Sequence, residues 1–142
     1  MAAIGEFMTE DHDRIDVLLD ASRDGGDRTL DAFAAALSRH IVWEEESLFP
    51  ALTAKAGAEA VPAADTMRLQ HEDFRARIEE IRGAADPGLR RRLHETLAEA
   101  LSEHNYAEEA YIYPWMDSSL DPAESGRLLA ALAAAPGGGR TP

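Results

Sequence analysis

The chain contains no cysteine among its 142 residues. Disulfide bonds, thiolate metal ligands and cysteine nucleophiles are therefore excluded, and any bound metal must use nitrogen and oxygen ligands. Runs of β-branched residues, which favour strands, are almost absent, whereas alanine is abundant and favours helix. No apolar stretch is long enough to span a bilayer, and no basic-then-apolar signal opens the chain. These absences predict a helical cytoplasmic protein that does not enter membranes.

Positive charge is also scarce. The chain has 14 Lys and Arg residues against 27 Asp and Glu residues, which gives a net charge of −13 at pH 7. Such an excess of negative charge disfavours binding to nucleic acid or to an anionic membrane surface. We interpret it as a contribution to solubility, with attraction of Fe²⁺ as a weaker alternative. The length suits one compact domain.

One group of metal-ligating residue types occurs twice in the chain. The pattern is His-x-x-x-Glu-Glu-x-x-x-aromatic-Pro, and it begins at His40 and again at His104. Residues four apart lie on the same face of a helix, so each copy offers an imidazole and a carboxylate to one point. A single His-x-x-x-Glu is common as a solvated helical pair. Its repetition, with the extra Glu and the aromatic-Pro, favours a metal site.

Two further histidines precede the two copies at similar distances. His12 stands among acidic residues, which alone would indicate an exposed helix start, whereas His71 lies on an apolar stripe with Phe74 and Ile78. Buried carboxylates need partners, because an unpaired buried charge is costly. We therefore predict a buried dinuclear site. Its expected ligands are His12, His40, Glu44, His71, His104 and Glu108.

Hydrophobic periodicity and turn signals predict five helices. They are expected over about 9–23, from 28 to a break near Pro50, over 63–82, from 87 to a break near Pro114, and over 122–134. Proline inside a helix removes a hydrogen bond, so both ligand helices are expected to bend or end at these prolines. His12 and His40 lie about equally far from the Gly25-Gly26 turn, so they should meet at one height. Short loops then predict an all-α, up-down-up-down antiparallel four-helix bundle with a short C-terminal fifth helix.

This bundle is expected to occupy residues 9–118, followed by a short helix and a flexible tail over 119–142. Residues 1–8 are expected to form a disordered terminus, or to have been added ahead of a natural start at Met8. We expect a monomer or a weak dimer.

Several other side chains are interpreted as surface or packing residues. Those expected at the surface or its boundary are His94, Glu45, Glu46 and Glu109. Those expected to pack in the core are Trp43, Tyr111 and Trp115. Of these aromatic residues, only Tyr111 is considered able to reach a metal.

These motifs resemble the hemerythrin-like, or HHE cation-binding, family over about residues 8–116. The motifs are His12-Asp13, His40-x-x-x-Glu44 with Leu48-Phe49-Pro50, His71-Glu72, and His104-x-x-x-Glu108 with Tyr113-Pro114. The resemblance implies a four-helix bundle around two non-haem irons, with an oxygen bridge and two bridging carboxylates. Carried over by position, the ligands are the same six residues, and manganese and zinc also suit this ligand set.

The chain departs from the oxygen-carrying members at the third helix. Those members have a His-x-x-x-His pair, whereas this chain has His71-Glu-Asp-Phe-Arg75. Their last carboxylate also follows a longer spacing. Both departures disfavour reversible O₂ carriage. One hypothesis gives Arg75 a catalytic role, as a cation that stabilises bound peroxide or another anion. The alternative is that Arg75 points outward or pairs with a nearby acid.

The leading function hypothesis is a di-iron protein that carries out redox chemistry on small oxidants. Hydrogen peroxide is the expected substrate, with nitric oxide as a further one, which describes a catalase- or peroxidase-like oxidoreductase. The main alternative is an O₂- or iron-binding sensor or carrier without turnover. A donor or store of iron and a metal-free bundle are further alternatives. No glycine-rich phosphate loop or Ser/His/Asp arrangement suggests a larger substrate.

Overall fold

The computed structural model describes residues 3–134 and is helical apart from short connections. Its α-helices are α1 Ala3–Gly25, α2 Asp27–Trp43, α3 Phe49–Ala56, α4 Val61–Gly83, α5 Pro87–Ala107, α6 Tyr113–Ser119 and α7 Pro122–Ala134. Two π-helical turns, Glu44–Leu48 and Glu108–Ile112, join α2 to α3 and α5 to α6. A 3₁₀ turn, Gly57–Ala60, leads into α4. The predicted four-helix bundle with a short fifth helix is confirmed. The predicted C-terminal tail lies outside the described residues.

Tight turns make antiparallel hairpins of α1 with α2 and of α4 with α5. Gly26 reverses the chain between α1 and α2 at φ 81°, a backbone conformation that residues with a Cβ rarely adopt. At the second turn the Asp86 carboxylate accepts a hydrogen bond of 2.8 Å from the backbone N–H of Leu89, and Pro87 occupies the first turn of α5. A capping carboxylate followed by proline is a favoured helix start.

The prolines near the ends of the ligand helices do not end them. Helix α2 continues through its π-turn into α3, where the backbone N–H of Phe49 bonds the carbonyl of Glu44, five residues earlier. Tyr113 and Glu108 form the same i→i+5 bond in the other hairpin. The wider turn accommodates a proline, which lacks an N–H and would clash with the preceding α-helical turn. Of the two outcomes predicted at Pro50 and Pro114, a bend or an end, the end is wrong, because the helix changes its hydrogen-bond pattern instead.

Two apolar clusters fill the bundle, one towards each end. The cluster near the hairpin turns includes Ile15, Phe33 and Leu97. The cluster at the opposite end includes Met8, Leu52 and Leu132, so α7 closes that end of the same core. The polar residues of the predicted site therefore lie between these two apolar clusters.

In residues 3–134, no helix combines the length and the hydropathy needed to cross a membrane.

The first residues of the described chain are part of the fold. Helix α1 begins at Ala3, and both Ile4 and Met8 are fully buried. The carboxylate of Asp117 accepts hydrogen bonds of 2.9 and 3.0 Å from the first backbone N–H groups, those of Ile4 and Gly5. The expectation of a disordered terminus is wrong for residues 3–8, because the Asp117 cap and the apolar cluster that contains Met8 hold them in place.

The substitution Ile4→Ala is expected to lower the free energy of unfolding by about 2–5 kcal/mol, because it leaves a cavity among fully packed side chains. Val17→Ala on the same helix is the matched control, since Val17 is 68% exposed, and it should change stability by less than about 0.5 kcal/mol. Urea denaturation of the two variants measures the difference. Equal stabilities would contradict a packed N-terminus.

Candidate metal centre

The structure brings all six predicted ligands together between the two apolar clusters. The rings of His12 and His40 are 4.6 Å apart, and those of His71 and His104 are 5.0 Å apart, so each hairpin presents its histidines at one height. All six residues are buried, with at most 5% of each exposed. The described chain therefore brings four inward histidines and two glutamates together, as the sequence predicted.

The ligand atoms form two groups that share both carboxylates. The first position, as we call it, is bounded by His12, His40, Glu44 and Glu108, and the second position by Glu44, His71, His104 and Glu108. Within each group, one ligand atom from every residue lies within 4.8 Å of the others. Each position takes residues from both hairpins.

The two oxygens of each glutamate are divided between the two positions. Glu44 directs Oε2 to His40 Nε2 at 3.3 Å and Oε1 to His71 Nε2 at 3.0 Å. Glu108 directs Oε1 to His12 Nε2 at 3.1 Å and Oε2 to His104 Nε2 at 3.2 Å. A carboxylate that faces two sites in this way can bridge two metal ions.

Unpartnered polar atoms also indicate that a cation belongs here. In the described part of the chain, five buried side-chain nitrogen or oxygen atoms lack a hydrogen-bond partner. Three of them belong to the centre: Glu44 Oε1, Glu108 Oε2 and His71 Nε2. Their nearest charged neighbours lie at 3.0 Å, between Glu44 Oε1 and His71 Nε2, and at 3.2 Å, between Glu108 Oε2 and His104 Nε2, without the alignment of a hydrogen bond. Buried polar atoms that make no hydrogen bond are rare, because each has lost its interaction with water. Nitrogen and carboxylate oxygen atoms are suitable ligands for iron, manganese or zinc, so the residues present fit such an ion.

Every histidine of the centre is held from behind by an oxygen atom. The Nδ1 atoms lie 2.6–2.7 Å from these oxygens, which leaves Nε2 facing the centre. The pairs are His12 with Glu109, His40 with Asp11, His71 with Glu45, and His104 with Gln70. An acceptor at Nδ1 fixes the tautomer and orientation of a ligating imidazole and raises its basicity. Glu45 and Glu109 lie at the surface or its boundary, as expected, with side chains 25% and 37% exposed. Sequence reasoning missed that each also reaches a histidine of the other hairpin.

The buried groups change one another's protonation. Burial disfavours imidazolium, but the carboxylates of Glu44 and Asp11 outweigh it and hold the pKa of His40 well above its ordinary value. The pKa of His71 is raised in the same way, by Glu44 and Glu45 acting against burial. Burial also opposes ionisation of Glu108, yet His104 holds the pKa of that carboxyl well below its usual range. The protein alone therefore favours buried imidazolium–carboxylate pairs.

A seventh polar group, the phenol of Tyr113, also lies in the centre. It is fully buried, and its hydroxyl donates to Glu44 Oε2 at 2.6 Å and lies 2.9 Å from Glu108 Oε1. Burial, followed by the charges of Glu108 and Glu44, raises the pKa of Tyr113 well above its usual range. Sequence reasoning missed this residue. The signal was the aromatic position of the repeat, where the first copy has Phe49 and the second has Tyr113.

The π-turn explains why Tyr113 replaces Tyr111 in the centre. Helical spacing places residues three or four apart on one face, which favours Tyr111 as the neighbour of Glu108. The i→i+5 bond from the Tyr113 N–H to the Glu108 carbonyl instead places Tyr113, five residues later, over Glu108. Tyr111 is consequently 65% exposed, so its expected place in the core is wrong.

Arg75 does not enter the centre. Its guanidinium donates a hydrogen bond of 2.7 Å to Glu72, one helical turn away, and its side chain is 41% exposed. The structure therefore has the second of the two placements expected for Arg75, outward and paired with a nearby acid, and not the inward placement that the catalytic hypothesis needs. His94 also differs from its expected surface position. It is buried near the hairpin turn, where its Nε2 lies 2.8 Å from the carbonyl of Leu19.

The substitution Glu45→Ala is expected to weaken metal binding by about 10–100-fold, because it removes the acceptor that orients His71. Glu46→Ala is the matched control, since the neighbouring Glu46 is exposed, and its metal affinity should stay unchanged. Competition with a chelator measures both affinities. Equal affinities for the two variants would show that the contact from Glu45 to His71 does not support binding.

Comparison with known proteins adds a family match. A family model for the hemerythrin HHE cation binding domain matches residues 3–116 and, separately, residues 63–132. The second range contains the second copy of the repeated motif. Comparisons with curated proteins and with solved structures returned no match.

Proposed function

The chain belongs to the hemerythrin HHE cation-binding domain family, and we propose that its centre holds two iron ions and uses them for redox chemistry on small oxidants. Hydrogen peroxide is the proposed main substrate, and nitric oxide a further one. The six ligands in this proposal are His12, His40, Glu44, His71, His104 and Glu108. The cytoplasmic location and the monomeric or weakly dimeric state stay predictions.

The observation that carries the proposal is the division of two carboxylates between two positions. A site for one ion needs no such division, and a purely structural pair of glutamates would be stabilised by full hydrogen bonding. Here three buried atoms of the centre make no aligned hydrogen bond, although oppositely charged partners lie 3.0–3.2 Å away. Two positions that share Glu44 and Glu108 support a dinuclear metal centre, which these two glutamates would hold together.

Iron bound by these six residues would supply two-electron exchange with one molecule of oxidant, which matches the breakdown of peroxide. The residues around them supply the conditions for that chemistry. The two apolar clusters, on either side of the centre along the bundle, exclude bulk water, which strengthens electrostatic interactions within the centre. Four oxygen acceptors hold the imidazoles in fixed orientations. The burial of all six ligands favours substrates of two or three heavy atoms over larger ones.

The experiment is anaerobic loading with Fe²⁺, removal of free metal, elemental analysis, and then a peroxide assay with an oxygen electrode. We expect two irons per chain and release of half as much O₂ as peroxide consumed, since disproportionation balances in that ratio. Protein treated with a chelator is the control for free iron.

Two other results would overturn the proposal. Two irons without peroxide turnover, together with a reversible O₂ adduct, would favour a sensor or carrier. A preference for zinc over iron would remove the redox function altogether.

A further inference from the structure

The two halves of the centre are related by the internal repeat, and they differ at two places. Four pairs of residues match across the hairpins: His12 with His71, His40 with His104, Glu44 with Glu108, and Glu45 with Glu109. The mismatches are Asp11 against Gln70, behind the histidines, and Tyr113 against Phe49, after the glutamates. Both mismatches favour the first position, which has the charge of Asp11 where the second has the neutral Gln70, and the hydroxyl of Tyr113 where the second has Phe49.

Tyr113 belongs to the first position alone. Its hydroxyl oxygen lies 2.6 Å from Glu44 Oε2 and 2.9 Å from Glu108 Oε1, the two carboxylate oxygens that face this position. It also lies 3.2 Å from His12 Nε2 and 3.3 Å from His40 Nε2. Neighbouring ligands of an octahedral ion with bonds of about 2.1 Å are about 3 Å apart. The phenol oxygen thus has the spacing of a fifth ligand beside the other four.

The acceptor behind one histidine strengthens this difference. His40, a ligand of the first position, is held by the carboxylate of Asp11, which Arg14 also contacts at 2.8 Å. His104, its counterpart at the second position, is held by the neutral amide of Gln70. A carboxylate behind an imidazole makes the ring a stronger donor than a neutral acceptor does.

The second position has no polar counterpart of Tyr113. The ring of Phe49 lies parallel to that of His71 at 6.1 Å, and the ring of Phe74 meets His104 edge-on at 4.9 Å. The three centre atoms that make no aligned hydrogen bond, Glu44 Oε1, Glu108 Oε2 and His71 Nε2, all face this position. It therefore has four protein donors in apolar surroundings.

We infer that the two metal positions are inequivalent, with Tyr113 as a fifth protein ligand at the first position and the small exogenous ligand binding at the second. The inference rests on the proposed dinuclear iron centre. Loss of the phenol proton to solvent accompanies ligation, as other ligating groups lose theirs. The first position then carries more anionic donors and suits the more highly charged ion. The second position keeps a coordination place for a neutral or monoanionic small molecule, in the apolar surroundings to which Phe49 and Phe74 contribute.

Two substitutions exchange the aromatic residues of the repeat and test the inference. Tyr113→Phe gives the first position the character of the second, and Phe49→Tyr does the reverse. Both are to be loaded with iron, oxidised, and examined by elemental analysis, by resonance Raman spectroscopy for iron-bound tyrosinate, and by titration with azide. Circular dichroism shows whether each variant is folded.

We expect the wild type to hold two irons, to show tyrosinate vibrations and to bind one azide per centre. Tyr113→Phe should keep both irons, lose the tyrosinate vibrations and bind a second azide. Phe49→Tyr should bind azide about tenfold or more weakly, because its phenol competes for the place at the second position.

Two irons in the wild type without tyrosinate vibrations would overturn the inference and leave the proposed function intact. The same holds for an azide affinity that is unchanged in Phe49→Tyr. Fewer than two irons in the wild type would overturn the dinuclear centre itself, and with it the inference.

Discussion

Replacement of both His40 and His104 by alanine is expected to abolish stable iron binding. The double variant removes one imidazole from each position, so each keeps a single histidine and the two shared glutamates. Loss of an outer contact alone costs about 10–100-fold in affinity, so loss of a ligand at each position should exceed 100-fold. Elemental analysis after desalting should find two irons per wild-type chain and none in the variant.

His94→Ala is the matched control for this experiment. His94 is buried and hydrogen-bonded, like the proposed ligands, but it lies near the hairpin turn and belongs to neither metal position. This variant should keep both irons. Retention of two irons by a folded double variant, or loss of iron by His94→Ala, would show that the assigned centre is wrong.

The stability of the protein is expected to depend on pH in opposite directions with and without iron. When the pH rises from about 6 to about 8, the melting temperature of the chelator-treated protein should fall and that of the iron-loaded protein should rise. The first effect comes from His40 and His71, whose pKa values are raised in the folded state.

The sign follows from proton binding. Groups whose pKa rises on folding stabilise the protein fully below their unfolded pKa, and this contribution is lost as the pH rises through the folded pKa. Each unit by which the pKa of buried His40 is raised contributes up to about 1.4 kcal/mol. Glu108 and Asp11 have lowered pKa values, so their contribution is lost only in more acidic solution. In the loaded protein, protons compete with iron for the imidazoles, so stability from binding grows with pH.

Thermal melts over this pH range, with and without iron, measure the two slopes. The double variant without His40 and His104 should show a smaller slope after chelation and no gain on addition of iron. Slopes of the same sign in both preparations of the wild type would contradict the ionic coupling within the centre.

The sequence predicted the ligands because they follow local helical spacing. His40 with Glu44 and His104 with Glu108 are each four residues apart, and the turn at Gly26 sets the height of His12 against His40. Such relations depend on one helix or one hairpin at a time. The same reasoning failed for Arg75, where the sequence allowed an inward or an outward side chain and the surface pair with Glu72 prevails.

What the sequence did not reveal depends on contacts between distant segments or on an unusual backbone. Helical spacing places Glu45 and Glu109 off the apolar stripes of their own helices, but each reaches a histidine of the other hairpin. Ile4 is fixed through Asp117, more than a hundred residues away along the chain. Tyr113 comes over Glu108 only because the helix widens into a π-turn. Periodicity rules assume a uniform helix and so place such residues on the wrong face.

Each metal position joins the α1–α2 hairpin to the α4–α5 hairpin, since Glu44 and Glu108 each serve both positions. Bound ions would therefore act as cross-links between two units that are otherwise held by side-chain packing and outer hydrogen bonds. When the ions are released, the α1–α2 and α4–α5 hairpins should open as two separate units and no longer as one. Amide hydrogen exchange along α2 and α4 would then accelerate well before the helices themselves melt, and a protease would find the chelated protein a far better substrate than the loaded one.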